Sequence, residues 1–180
     1  MLKKDSFILF LSAITLIFLI FLYFFISNQK IGTDSDPVGK IIYRHKIAQR
    51  KDYSGFLWEN LDQEDIVFNK DSIRTDEFAE AIIEIKSGSK IELDPMSMVV
   101  LNISDNKIDI ILSRGSIHIS NVSNSLPINI LTEQIRLNRI EGSTRVRFLG
   151  ETLSMKSEKE VSVKYKDKQG KKLLPGWEYK

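Results

Sequence analysis

The residues of this chain that could act as bases or nitrogen ligands near neutral pH are two histidines, His45 and His118. Each stands alone in a strand-like stretch, without the paired spacing that is typical of a metal site. The chain has no cysteine, which excludes a thiol nucleophile, a disulfide framework and a cysteine-ligated metal centre. A histidine-based catalytic site would require His45 and His118 to be adjacent, with a carboxylate between them. The sequence therefore predicts that the protein is not an enzyme and has no catalytic residue, metal ligand or cofactor.

The serines and carboxylates also lack the context that catalysis requires. Three serines lie outside the glycine-flanked turn of a nucleophile elbow: Ser113, Ser116 and Ser143. Glu84 and Glu92 would face each other across a hairpin, where pairing with Lys86 and Lys90 is a simpler role than that of glycosidase carboxylates. The sequence contains no glycine-rich loop that could hold a phosphate group.

Positive charge is concentrated near the end of the sequence. From residue 151 onward, eight lysines stand against five acidic residues, a net charge of +3; the whole chain carries +2, so residues 1–150 sum to −1. Arg145 and Arg147 are two residues apart and so share one face of a strand. Such a face could bind an anionic glycan, a lipid headgroup or an acidic protein patch, or it could only keep strand edges apart. The candidate interaction surface consists of Arg145, Arg147, Lys164, Lys166, Trp177 and Tyr179.

A hairpin at residues 71–95 is the clearest structural element. Two apolar runs, 81–85 and 91–93, flank a Ser87-Gly88-Ser89 turn, and a glycine between such runs is a hairpin signal. The alternation places Ile83, Ile85, Ile91 and Leu93 on one face, with Glu84 and Lys86 on the other. Asp94-Pro95 should end the second strand, because proline cannot donate a hydrogen bond to a neighbouring strand.

Other short alternating runs extend this pattern over the rest of the chain. We expect a first strand at 38–48, a second that begins at 55–58, and an edge strand at 66–68. Turns are expected at 114–115 and 167–172. The later runs are 98–103, 108–112, 117–119, 128–130, 135–138, 146–148, 153–155 and 161–165. Strands at this spacing, without helical periodicity, predict an all-β domain of about ten short strands, either sandwich-like or a short β-solenoid.

The first part of the chain predicts a membrane anchor. Residues 7–26 contain no charged side chain and are long enough as a helix to cross a bilayer core of ~30 Å. A cleaved signal peptide is the alternative, but the run is too long for one and lacks small residues at its end. Lys3 and Lys4 precede the run, which places the N-terminus inside. We therefore expect a cytoplasmic tail (1–6), a transmembrane signal anchor (7–26), a tether (27–37) and a periplasmic β domain (38–180).

The order of several short motifs resembles the FecR domain of bacterial envelopes. These motifs are Asp71-Ser72-Ile73-Arg74-Thr75, the hairpin at 81–93, Pro95-Met96-Ser97, Leu112-Ser113-Arg114-Gly115-Ser116-Ile117, and Leu173-Leu174-Pro175-Gly176. The resemblance covers residues 38–178. Known members of the family relay a signal from an outer-membrane siderophore transporter to a cytoplasmic sigma factor. Here only residues 1–6 precede the anchor and little follows residue 176, so the resemblance implies a scaffold or partner-binding role.

Two functions follow from these patterns. The first is a membrane-anchored periplasmic interaction module that acts as a scaffold or signal-relay partner of envelope proteins. The alternative is a module that docks on peptidoglycan or another anionic glycan through exposed aromatic side chains, with Tyr53, Trp58, Trp177 and Tyr179 as candidates. For Trp58 we expect a place in the core or at its rim. A net charge of +2 and a pI near 8.7 do not indicate a nucleic-acid partner.

Overall fold

The computed structural model describes the backbone of residues 2–28, 36–122, 125–150, 152–165 and 168–173. Side chains are described at 11–24, 36–122, 125–150 and 152–164. The chain forms two compact units, Met1–Thr33 and Asp34–Lys180. Lys166, Trp177 and Tyr179 lie outside the described residues.

The first unit is a helix, α1, which extends from Leu2 to Asn28. Its described side chains are exposed, among them Phe18 (59%) and Tyr23 (69%). Thr15 donates a hydrogen bond of 2.9 Å to the carbonyl of Leu11, which satisfies its hydroxyl within the helix. In the part of the chain that the structure describes, no helix is long and apolar enough to cross a membrane. The membrane span at 7–26 thus receives no support from the structure and stays a prediction.

The second unit is built from strands, which confirms the predicted all-β class. Fifteen strands are found among the described residues, against the ten or so expected. They are β1 (Pro37–His45), β2 (Ala48–Lys51), β3 (Glu59–Asn60), β4 (Ile66–Phe68), β5 (Ser72–Thr75), β6 (Glu80–Ile85), β7 (Lys90–Leu93), β8 (Met98–Ser104), β9 (Lys107–Asn121), β10 (Ile128–Leu131), β11 (Ile135–Ile140), β12 (Gly142–Leu149), β13 (Thr152–Ser157), β14 (Val161–Tyr165) and β15 (Lys168–Leu173).

The long strand β9 belongs to two sheets at once. Its first half, residues 107–114, pairs with β8 on one side and with β10 on the other. Its second half, residues 115–121, pairs with β7 and β12. Sheet A has the order β4-β1-β6-β7-β9-β12-β13, and sheet B has the order β3-β2-β5-β8-β9-β10-β11-β14-β15. The pair β9–β10 is parallel and the other pairs are antiparallel.

The predicted hairpin is confirmed as β6 and β7. Ile83 lies opposite Ile91, and both are fully buried. Gly88 in the turn has φ = 85°, a conformation that costs little without a Cβ. Asp94 follows the second strand directly, and the predicted edge strand at 66–68 is β4, which pairs with β1.

The turn predicted at 114–115 is wrong, because β9 continues through it. Gly115 has φ = 92°, and a Cβ at this position would overlap the backbone of Ser97. The glycine therefore bends the strand, so that one strand passes from sheet B into sheet A, instead of reversing the chain.

Three other local predictions need correction. Residues 55–58 form a loop instead of a strand, and the expected strand at 38–48 is divided into β1 and β2 at Lys46, whose φ is 57°. The expected turn at 167–172 is instead strand β15, which pairs with β14. Its polar sequence suits a strand at the edge of a sheet, where hydrophobic alternation is a weak signal.

Both sheets contribute to one apolar core. Ile83, Ile91 and Ile119 from sheet A lie in the same cluster as Leu101 and Ile130 from sheet B, and all five are fully buried. Each such side chain stabilises the fold by about 1.5–3 kcal/mol relative to an exposed position.

Candidate interaction surface: the seam between the sheets

Four places where the chain passes between the sheets lie next to one another. They are residues 46–47, 76–79, 94–97 and the bend of β9 at 114–115. The amide of Asp76 donates to the carbonyl of Ile47 at 3.1 Å, and that of Met96 donates to the carbonyl of Asp76 at 3.3 Å. The amide of Asp94 donates to the carbonyl of Ser116 at 3.0 Å. We call this line of crossings the seam.

A chain of buried hydroxyl groups holds the seam together. The hydroxyl of Thr75 donates to the carbonyl of Asp94 (2.7 Å) and accepts from the amide of Ser97 (3.0 Å). The hydroxyl of Ser97 in turn donates to the carbonyl of Ser116 and accepts from its amide, both at 2.9 Å. These bonds satisfy the Asp94 carbonyl and the amides of Ser97 and Ser116 at the strand crossings, and they give the Ser116 carbonyl a second donor. Thr75, Ser97 and Gly115, on which the FecR resemblance rests, thus meet at one place.

Asp71 closes the turn that leads into β5. Its side chain is 1% exposed, and its Oδ2 accepts a hydrogen bond of 2.8 Å from the amide of Phe68. Among the described residues its Oδ1 has no hydrogen-bond partner, and the nearest cation is Arg50, with Nε 4.0 Å from Oδ2. Burial raises the pKa of Asp71 to about 6, against the opposing effects of the Phe68 amide and Arg50.

Exposed apolar side chains stand along the outside of the seam. Ile47, Phe78 and Met96 are 47%, 64% and 49% exposed, and we call them the seam ridge. Phe78 and Met96 have φ values of 58° and 59°, in the left-handed region that bulky residues rarely adopt. The ammonium group of Lys46 lies 4.8 Å from the centre of the Phe78 ring. Strained backbone that presents apolar side chains to water is typical of binding surfaces.

Next to the seam, His118 connects two side chains of sheet A. Its Nδ1 lies 3.1 Å from Oε2 of Glu92, and its Nε2 lies 2.8 Å from Oγ of Ser143. This is the order of contacts in a serine hydrolase triad. Catalysis also needs free N–H donors beside the serine, but the amide of Ser143 donates to a carboxylate oxygen of Glu158 at 3.3 Å, and that negative charge would oppose an oxyanion.

His45 does not take part in this arrangement. It lies opposite Glu80 in the pair β1–β6, and β1 is separated from β9 by three strand spacings, roughly 14 Å. Glu92, which was expected to pair with a lysine, contacts His118 instead. The sequence could not show this contact, because it depends on the pairing of β7 with β9, 26 residues apart.

The described members of the candidate basic surface lie on different sheets. Arg145 and Arg147 are exposed on one face of β12, as predicted, and Arg145 makes an ion pair of 3.0 Å with Asp94 at the seam. Lys164 is on β14 in sheet B, where it lines a polar groove of about 840 Å³. Asn129 and Asn138 also line this groove.

Beside the groove, Asp109 is 5% exposed and receives hydrogen bonds from Lys107 (2.6 Å) and Asn129 (2.7 Å). Burial alone would raise the pKa of Asp109, but these two hydrogen bonds and the charges of Lys107 and Arg136 outweigh it and lower the pKa.

The aromatic candidates differ in their accessibility. Tyr53 is 71% exposed. Trp58 is half-buried at the rim, and the guanidinium of Arg74 and the ammonium of Lys51 lie 4.2 and 5.5 Å from its ring centre. A sugar that stacked on the ring face beside either cation would compete with that cation.

Comparison with known proteins finds a similar fold among solved structures. No family model and no curated protein matches the chain. Two crystal structures of a putative anti-sigma factor from Parabacteroides distasonis ATCC 8503, at 2.50 and 1.65 Å resolution, each superpose with a TM-score of 0.51. The identity is 14%, and the match covers 58% of this chain and about half (51%) of that protein. At this identity the likeness shows a shared fold.

Proposed function

We propose that this protein is a FecR-type interaction module of the bacterial envelope, anchored in the cytoplasmic membrane, which binds an envelope protein as a scaffold or signal-relay partner. The observation that carries this proposal is the seam ridge: Ile47, Phe78 and Met96 are exposed directly outside the buried contacts of Thr75 and Ser97. The description of the similar structures as anti-sigma factors agrees with a role in signalling.

The seam ridge is suited to binding because its shape is fixed before a partner arrives. Hydrogen bonds between Asp76, Ile47 and Met96 tie the turns together, so little conformational entropy is lost on association. A partner that covered Phe78 would remove from water an aromatic ring that is 64% exposed, the kind of side chain that often dominates binding energy.

The proposed anchor is the apolar segment 7–26, with the N-terminus inside and the β domain in the periplasm. It rests on the absence of charge in this segment and on Lys3 and Lys4 before it.

The proposal can be tested by in-cell photo-crosslinking of the full chain. A benzophenone amino acid is placed at Phe78 or Met96 on the seam ridge, and at Leu149, an apolar residue of similar exposure (60%) that is not part of the ridge, as the control. Recovery of one envelope protein from both ridge positions, but not from Leu149, is the expected result. Recovery from Arg147 or Lys164 and not from the ridge would move the interface to the basic candidates, and no adduct from any position would overturn the proposal.

A substitution pair separates loss of binding from loss of fold. Asparagine tolerates the left-handed backbone better than phenylalanine or methionine, so Phe78→Asn and Met96→Asn should remove the apolar surface without lowering the melting temperature. We expect both variants to lose the crosslinked partner, whereas Leu149→Asn should retain it. If the double variant Phe78→Asn/Met96→Asn still gave the same crosslinked partner, the ridge would not be the binding surface.

Glycan docking is the second candidate, and the polar groove of about 840 Å³ favours it. Asn138 and the cations of Arg139 and Lys164 offer donors for hydroxyl and carboxylate groups, and Glu141, Glu158 and Glu160 offer acceptors for hydroxyl groups. Sedimentation of the chain with purified sacculi tests this function, with the double variant Asn138→Ala/Lys164→Ala as the comparison. Absence of binding at moderate salt would exclude it.

A further inference from the structure

The connection between β2 and β3 exposes three large apolar side chains within five residues. Tyr53, Phe56 and Leu57 are 71%, 92% and 80% exposed, and Trp58 follows at the rim of sheet B. We call residues 52–58 the aromatic loop. Apolar side chains that protrude this far are costly in water and mark a surface that is covered in the working state of a protein.

The aromatic loop has a defined shape. Oδ1 of Asp52 accepts hydrogen bonds of 2.9 Å from both the amide and the hydroxyl of Ser54, and the amide of Gly55 donates to the carbonyl of Asp52 at 3.0 Å. At its other end, the guanidinium of Arg74 lies 4.2 Å from the Trp58 ring centre. Phe56 and Leu57, which we call the tip of the loop, therefore lie between a hydrogen-bonded turn at residues 52–55 and the Trp58 ring that contacts Arg74.

Cationic groups surround the base of this tip. The ammonium of Lys51 lies 5.5 Å from the Trp58 ring centre, and that of Lys70 lies 5.0 Å from the Tyr53 ring centre. Of the two nearby acids, Glu59 pairs with Arg50 at 3.1 Å and Asp52 accepts hydrogen bonds from Ser54, whereas Lys51, Lys70 and Arg74 lie against the aromatic rings. An apolar tip with aromatic rings behind it and cations at the level of the rings matches the layers of an anionic bilayer surface.

We propose that the aromatic loop docks the β domain on an anionic lipid bilayer, with Phe56 and Leu57 in the headgroup–acyl boundary and Lys51, Lys70 and Arg74 against lipid phosphates. A glycan fits this loop poorly, because Phe56 and Leu57 at the tip offer no polar side-chain atom and two cations already lie against the Trp58 ring. The proposal is compatible with the membrane anchor of the proposed function and gains from it, since only 25 residues (27–51) separate the loop from the end of the apolar segment at residue 26.

The absence of cysteine in the chain makes the test direct, because one introduced cysteine can carry an environment-sensitive fluorophore. The full chain is reconstituted with vesicles of phosphatidylcholine, with or without phosphatidylglycerol, and labelled at Leu57→Cys. Leu149→Cys, an exposed leucine on β12, is the matched control. We expect a blue shift and quenching by nitroxide lipids at position 57 in anionic vesicles and neither effect at position 149. Phe56→Ser should lower the docked-to-free ratio about tenfold.

Flotation of the same samples distinguishes docking of the loop from membrane insertion of the proposed anchor. If the chain floats with the vesicles but the label at position 57 stays in water, the loop does not dock and the anchor is retained. If the chain does not float, both fail. Equal docking on neutral vesicles, or in the variant Lys51→Gln/Lys70→Gln, would overturn the part assigned to the lysines, and a blue shift without lipid would indicate a protein contact instead.

Discussion

Replacement of Asp71 by asparagine should remove a pH-dependent loss of stability. The side chain is 1% exposed and has a pKa of about 6, against an ordinary value of 3.8. Because the pKa is raised in the folded state, the stabilising effect of the bound proton is complete below pH ~3.8 and is lost as the pH rises through about 6. At about 1.4 kcal/mol per pKa unit, the ionised carboxylate costs the fold up to about 3 kcal/mol at neutral pH.

The asparagine variant should keep the turn but not the charge. Its amide oxygen can accept the hydrogen bond that the Phe68 amide donates over 2.8 Å. Urea unfolding, followed by the β-sheet signal in circular dichroism, gives the free energy of unfolding of both proteins at pH 4, 5, 6 and 7.5. We expect Asp71→Asn to equal the wild type near pH 4 and to become more stable by about 1–3 kcal/mol at pH 7.5.

The difference between variant and wild type is the informative quantity, because titration of the other carboxylates cancels in it. Asp105→Asn, in an exposed turn, controls for the loss of one negative charge. A difference that stayed constant between pH 4 and 7.5, or a variant that lost stability relative to the wild type as the pH rose, would refute the assignment of a raised pKa to buried Asp71.

Three further substitutions test the seam and the polar groups around it by the same unfolding measurement. Gly115→Ala should lower the free energy of unfolding by about 2–5 kcal/mol, because the new Cβ would overlap the Ser97 backbone. The control Gly150→Ala (φ = 61°), with no atom within 4 Å of the new Cβ, should lower it by only about 1–2 kcal/mol. Equal losses in the two variants would contradict the close approach of Ser97. Thr75→Val should lower the free energy of unfolding by about 1–3 kcal/mol, because it leaves the Ser97 amide without a partner, whereas Thr75→Ser should retain most of the wild-type stability. Equal losses in the valine and serine variants would show that the hydroxyl does not matter. Asp109→Asn should be less stable than the wild type by about 1–3 kcal/mol at neutral pH. This difference should disappear as the pH falls through the lowered pKa of Asp109 in the folded state. A difference that persisted in acid would show that it does not arise from the negative charge of Asp109.

Local patterns predicted the elements, and contacts distant in sequence decided what they form. The alternation of Ile83, Ile91 and Leu93 identified a real hairpin, because both its strands and its turn lie within a few residues. The bend at Gly115 looked like a turn, since a glycine between two apolar runs has the same sequence signature whether the chain reverses or changes sheets. Only the approach of Ser97, 18 residues away, distinguishes the two.

The candidate surface shows the same limit. That Arg145 and Arg147 share a face follows from the period of a strand, and the structure agrees. Their distance from Lys164 depends on sheet membership, which no local pattern encodes. The seam ridge was missed because an exposed Phe78 or Met96 in a turn has no periodic signal; the one usable hint was two large apolar residues in otherwise polar turns.

The double membership of β9 has a consequence for how the domain forms and melts. Since sheets A and B share this strand, neither can come apart without exposing it, and the two should behave as one cooperative unit. The amides of Ile110 and Ile119, in different halves of β9, should then exchange with solvent at the same slow rate, that of global unfolding; a faster rate in one half would mean that the sheets open separately. During synthesis, the eight strands β1–β8 are made before β9, so they lack this central strand until residue 121 has been added. Their free edges need protection from aggregation during this time.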